Sequence, residues 1–480
     1  MAGQSDHAVE PDSQEGRRIG LAGARAEKVG SRVTRRGQVA KKSGQPVVDP
    51  YIPTTGNFGY RVSRYELELE YKIAINRLAG SATITAVTLA ELTGFTLDLS
   101  DALAVSKVTV NGSRPSQFRS AAGKLHITVA DRLPAGTTMT VFVRYGGSPQ
   151  PIRSHWGEVG FEELTEGVLV AGQPNGAASW FPCDDHPSAK ASFQIQISTE
   201  RKYFAIANGK LLARRARAGM TTWTYEQAEP TSTYLITLQI GVYQRHRMSK
   251  NGVETFSVLP DRLRANFESD FGRQPQMMAL FVTMFGPYPL ADGYTVVVTD
   301  DDLEIPVEAQ GISIFGANHC DGKRSSERLI AHELAHQWFG NSVTARHWRH
   351  IWLHEGFACY AEWLWSEHSG GRSVEELAGE YHQRLSRSAQ DMVLADPGPR
   401  DMFDDRVYKR GALTLHALRS QIGDTSFFAL LRDWTTRYRH SNVVTDDFTD
   451  LAGQYSTDSL DALWDGWLYS TRLPPLDARA

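Results

Sequence analysis

Cysteine is scarce in this chain: three residues in 480, Cys183, Cys320 and Cys359, widely spaced and odd in number. That excludes a disulfide framework and fits a reducing, cytoplasmic setting in which the three thiols are structural. Cys320 follows His319, but no Cys-x-x-Cys partner accompanies it, so a cysteine-based metal site is set aside. Long apolar runs are lacking too. A membrane span needs about eighteen such residues, and the longest run, Met277 to Phe285, reads as part of a core helix. Nor is there an excess of charge: a net charge of -4 gives no reason to expect nucleic acid or an anionic membrane as partner. Arg17 and Arg18 suggest a twin-arginine export signal, yet no hydrophobic stretch follows them. Residues 1–45, rich in Gly, Ser, Arg, Lys and Gln, read as an unstructured tail.

What is present is an ordinary globular composition, 41% hydrophobic and 22% charged, at a length that suits two to four domains with large cores. From Tyr60 the pattern is two-periodic. Tyr65, Leu67, Leu69, Tyr71 and Ile73 alternate with charged residues, the mark of a strand with one buried face. Similar runs at Ser81–Leu89, Phe95–Leu99, Val105–Val110, Leu125–Val129, Met139–Tyr145, Ala191–Ser198 and Tyr234–Val242 predict an all-β domain of roughly sandwich type over 46–245. After Asp261 the period changes. Helices are predicted at Arg262–Phe285, Ser325–Asn341, His350–His368, Val374–Ala389, Arg406–Gln421, Thr425–Tyr438 and Thr445–Gln454, with strands at Tyr294–Thr299 and Gly311–Phe315. Ser325 or Ser326 is the expected cap of the second helix, and Gly340 with Asn341 its end. The fold class is α+β and multidomain, with a mainly helical domain over 246–480.

The chemistry is concentrated in His332-Glu333-Leu334-Ala335-His336. Two histidines four apart on a helix point from one face, so their imidazoles can bind one zinc ion. Glu333 sits on the adjoining face, where it can act as general base toward a metal-activated water. Glu355, on the next predicted helix, supplies a third ligand. Two His and one Glu with a fourth position open is the pattern of catalytic zinc, whereas a structural site wants four protein ligands. A donor is also needed for the developing oxyanion, and Tyr408 is the candidate, although a helical Tyr is more often part of a core.

The run from Leu329 to Asn341 resembles the aminopeptidase N family of zinc metallopeptidases, the gluzincins that also include the leukotriene hydrolases. Ile351 to Ala358 resembles that family's third-ligand segment at the family's spacing, and Val407 to Ala412 its catalytic-tyrosine segment. Trp180 to Pro187 and Thr231 to Ile236 are similar to markers of its N-terminal β domain. The resemblance covers roughly residues 50 to 475. It implies a saddle-like β domain followed by a thermolysin-like catalytic domain, with one zinc held by His332, His336 and Glu355. Glu333 is then the general base and Tyr408 the transition-state stabiliser.

In that family a glutamate in a Gly-Ala-Met-Glu-Asn strand holds the substrate's free amine. This chain reads Ile305-Pro306-Val307-Glu308-Ala309-Gln310-Gly311 there, so only the glutamate is kept, and Glu308 is the implied anchor. Gln173 matches a second amine contact, in a stretch to Cys183 about two residues short of the family's. A carboxylate pairing with an ammonium beside the scissile carbonyl fixes where cleavage falls, and so makes an aminopeptidase of a general peptidase. Most relatives continue into a long helical C-terminal domain, whereas this sequence stops at Ala480, so a short form with a more open cleft, or a partner subunit as cap, is expected. The expected partners are peptides with a free N-terminus, and homo-oligomerisation stays open. An endopeptidase, a lipid epoxide hydrolase and an inactive scaffold remain as alternatives.

Overall fold

The protein is described here from a computed structural model that covers residues 48–249 and 252–476; the tail expected over 1–45 lies outside them. The alternating residues before Lys72 form the long strand Tyr60–Lys72, whose buried and exposed positions alternate along its length. It lies at the middle of a seven-stranded sheet. On one side it pairs in parallel with Lys190–Glu200, Tyr65 opposite Phe193, and on the other antiparallel with Arg77–Thr88. A three-stranded sheet (Leu92–Asp98, Lys124–Leu133, Gln117–Ala121) and a five-stranded sheet built around Gly167–Ala171 complete the β-rich half. Tyr65, Phe181 and Phe193 pack ring against ring inside it.

A second five-stranded sheet begins at Gln244. Its order is Gln244–Ser249, Thr255–Leu259, Tyr294–Val298, Ile312–Phe315 and, antiparallel at the edge, Val307–Ala309. Alternation in the central strand serves two cores: Val296 and Val298 join the helical cluster, while Val297 faces the β cluster. Eight α-helices follow from Arg264 onward among the described residues. No helix among them is long and apolar enough to cross a membrane. The three cysteines are free and buried.

Several elements depart from expectation. The stretch expected as one helix from Arg262 to Phe285 is a 3-10 turn, Asp261–Leu263, and two helices, Arg264–Asp270 and Gln274–Phe285. A Cβ at Gly272 would meet Glu268 O at 2.5 Å, and Pro275, lacking an N–H, suits the first turn of a new helix. The expected strand Tyr234–Val242 is a 3-10 turn followed by the short strand Leu238–Gly241. The histidine helix spans Glu327–Ala335 rather than reaching Asn341: beyond it the amides of Gln337 and Trp338 bond back three residues and those of Asn341, Ser342 and Val343 five, so the four-residue ladder is broken. Ser326 stands at its start, but its side chain accepts no capping bond. The two helices expected around Gly423 form one run, Asp405–Arg437, broken at Gly423 by its φ of 78°.

Candidate metal centre and active site

His332 lies in the last turn of the Glu327–Ala335 helix, and His336 is the residue that ends it. Their rings meet edge to face with centroids 4.7 Å apart. Glu355 comes from the first turn of the helix Trp352–His368. Its Oε2 lies 3.3 Å from His332 Nε2 and 3.4 Å from His336 Nε2. All three side chains are buried.

The outer nitrogens decide the tautomers. His336 Nδ1 lies 3.0 Å from the carbonyl of Phe339, which can only accept, so Nδ1 carries a proton and Nε2 is the nitrogen turned inward. His332 Nδ1 lies 2.7 Å from Glu362 Oε1. Although burial opposes its charge, Lys409, Arg328 and His332 hold the Glu362 carboxyl down at about 2, so it too accepts. Glu355 is likewise held well below the usual carboxylate range by His336 and His332, against the effect of burial. Two inward Nε2 atoms, which lose their protons when a metal binds, and an anionic oxygen, each within 4.8 Å of the others, fit the donor set of a catalytic zinc ion. Glu362 was not anticipated from the sequence. The signal was present, since it follows Glu355 by seven residues, two turns along the same helix face.

Glu333 projects toward the same space. Burial raises its pKa, with Glu308 and Glu355 adding to the rise and the two imidazoles opposing it. Its Oε2 is buried with no hydrogen-bond partner. Glu308 sits on the edge strand Val307–Ala309, and its carboxylate falls within 4.8 Å of donor atoms of both Glu333 and His336. The zinc-helix end fixes that strand: Gln337 Nε2 and Asn341 Nδ2 both donate to Ala309 O, at 3.1 and 2.9 Å. From the β-rich half Gln173 reaches over, and its Nε2 donates to Glu308 Oε1 at 2.7 Å.

Tyr408 is brought in by glycine. A Cβ on Gly411 would stand 2.6 Å from Gly356 Cα, so the helices bearing Tyr408 and Glu355 touch backbone to backbone. Tyr408 lies one turn before Gly411, and its ring stacks on His332 with centroids 5.9 Å apart. Burial pushes its phenol well above the usual value, so it is a proton donor at any physiological pH. All seven residues named from the sequence (His332, Glu333, His336, Glu355, Glu308, Gln173 and Tyr408) thus surround one space.

Residues 62–235 match the Peptidase M1 N-terminal domain, and residues 276–467 the Peptidase family M1 domain. Rice aminopeptidase M1-D is 24% identical over 452 residues, 87% of this chain and 50% of the relative. This chain spans about half or less of the length of the curated relatives it matches. The M1 zinc metallopeptidase of Deinococcus radiodurans is 29% identical, with a TM-score of 0.82 over 90% of this chain and 99% of that one. Yeast LTA4 hydrolase, at 21% identity and a TM-score of 0.74, shares the fold over 93% of this chain and 72% of its own. Two successive domain matches, on a fold that superposes on an M1 metallopeptidase nearly end to end, establish that the chain belongs to the peptidase M1 family.

Proposed function

We propose that this protein is a zinc-dependent aminopeptidase that hydrolyses the N-terminal bond of peptides. The observation that carries the reading is the position of Glu308, a buried carboxylate beside the histidine–glutamate cluster and bonded to Gln173. The β domain, taken as 46–245, supplies Gln173, and the catalytic domain, 246–480, supplies the rest. His332, His336 and Glu355 would hold the ion. Bound zinc supplies Lewis-acid polarisation of the scissile carbonyl and acidifies water.

The chain's own groups do the remaining work. Glu308 pairs with the substrate ammonium, and Gln173, donating to Glu308, keeps its own amide oxygen for that same cation. This fixes the first peptide bond in register. Glu333 takes a proton from the attacking water as its oxygen bonds the carbonyl carbon, and delivers it to the leaving nitrogen as the C–N bond breaks. Tyr408 donates its phenolic proton in a hydrogen bond to the carbonyl oxygen as charge develops there. Glu362 and the Phe339 carbonyl keep both imidazoles oriented. The Deinococcus relative, in a variant form, has been solved with a Tyr-Ser-Ala substrate, which supports a short peptide as the ligand class here. Three buried free thiols support a cytoplasmic setting.

A panel of aminoacyl fluorogenic amides, assayed with and without a chelator, tests the reading. Chelator-sensitive release from unblocked aminoacyl amides is expected. Release that chelation leaves unchanged would refute it.

A further inference from the structure

A second cluster of metal-ligating side chains lies outside this site. Asp49, just before the first strand, His186, in the segment leading to Lys190–Glu200, and His347, in the turn before the Glu355 helix, bring one donor atom each within 4.8 Å of one another. Asp49 and His186 are buried, at 1% and 6% exposure. The rings of His186 and His347 meet edge to face, centroids 5.7 Å apart.

Ordinary hydrogen bonding accounts for only part of this arrangement. Asp49 is oriented by backbone amides, accepting from Tyr51 N at Oδ1 (2.8 Å) and from Trp348 N at Oδ2 (2.7 Å). His347 Nδ1 stands 3.9 Å from that same Oδ2, too far for a hydrogen bond, and is buried without a hydrogen-bond partner. A gap of that size between an imidazole nitrogen and a carboxylate oxygen, with a second imidazole alongside, suits a bridging cation at about 2 Å from each donor.

We propose that Asp49, His186 and His347 form a second divalent-metal site, of zinc type, that pins three segments distant in sequence. Two imidazoles and one carboxylate favour a borderline transition ion over magnesium or calcium, which take oxygen donors. The ion would fasten the residues before the first strand and the β domain's Asp185–Pro187 segment to the turn from which the Glu355 helix starts. Its role is structural, and it stands independently of the peptidase reading.

The test is a metal count on the full chain, saturated with zinc, desalted and measured by plasma mass spectrometry. Two zinc ions per chain are expected, falling to one in His347→Gln and to one in His332→Ala. A single zinc in the unaltered protein that His347→Gln retains overturns the proposal. So do two zincs retained in both His347→Gln and His186→Gln, since the second ion would then lie elsewhere. If the variants do not fold, anomalous diffraction at the zinc edge from crystals of the unaltered protein decides. A peak between the three side chains supports the site, and its absence after zinc soaking refutes it.

Discussion

His332 Nδ1 and Glu362 Oε1 lie 2.7 Å apart, and the same carboxylate meets Arg328 at 3.1 Å. His332, as the proposed zinc ligand, is thus held by a partner outside the metal's own shell, which orients its ring. Glu362→Gln is expected to raise the zinc dissociation constant at this centre by about 10- to 100-fold, with the fold retained. Competition against a chromophoric chelator measures it. An unchanged constant would mean that the contact does not orient the ligand.

Glu333 and His332 are adjacent, yet their loss should look different. Glu333→Ala keeps all three ligands, so the metal is expected to stay while turnover falls by about 100- to 10,000-fold, the usual contribution of a general base. His332→Ala removes a ligand and is expected to lose the ion from this centre. Metal analysis beside kcat separates the two. A metal-free Glu333→Ala protein would contradict the assignment.

The oxyanion donor depends on the glycine contact. Tyr408→Phe is expected to lower kcat by about 100-fold or more, with KM little changed, as for other single donors to an oxyanion. Gly411→Ala places a methyl group 2.6 Å from Gly356 Cα, so the helices must separate. That should destabilise the fold by about 1–3 kcal/mol, the usual range for overpacking, and lower kcat by moving Tyr408. Retained kcat in both variants would remove Tyr408 from the mechanism.

Amine recognition is expected to be shared unequally. Glu308→Gln removes a charge-assisted contact of about 1.5–3 kcal/mol, so kcat/KM on free-amine substrates should fall by about 10- to 100-fold. Gln173→Ala removes a neutral partner worth about 1 kcal/mol and should cost about 5-fold. Equal activity of the two variants and the unaltered protein would place the ammonium elsewhere.

How much of this was legible in the sequence differs by element. The strand Tyr60–Lys72 declared itself because one face is buried and one is wet, and alternation records that asymmetry. The strand Gly167–Ala171 did not. Four of its five residues are buried, so its run of apolar residues has no period to separate strand from helix. The proposed ligands His332 and His336 were readable because their four-residue spacing lies within one helical turn, whereas Glu355, on the next helix, joins them only through helix packing. Gln173 met Glu308 only through the tertiary fold, across 135 residues, and no local pattern encodes that distance. The helix end at Ala335 was missed for a related reason. Gln337 and Asn341 face the edge strand, and their side chains bond its backbone at Ala309 rather than extending a solvated helix face. Glu362 could have been found by following the Glu355 face for two further turns.

In the proposed reaction, an acidic anchor beside the metal, Glu308, selects the free end of a peptide. The most direct measurement is mass spectrometry of products from one peptide offered with a free and with an acetylated N-terminus. The expected result is loss of the N-terminal residue from the free peptide, and an intact acetylated one. Cleavage of both at an internal bond would contradict the account, because Glu308 would then have no part in placing the scissile carbonyl.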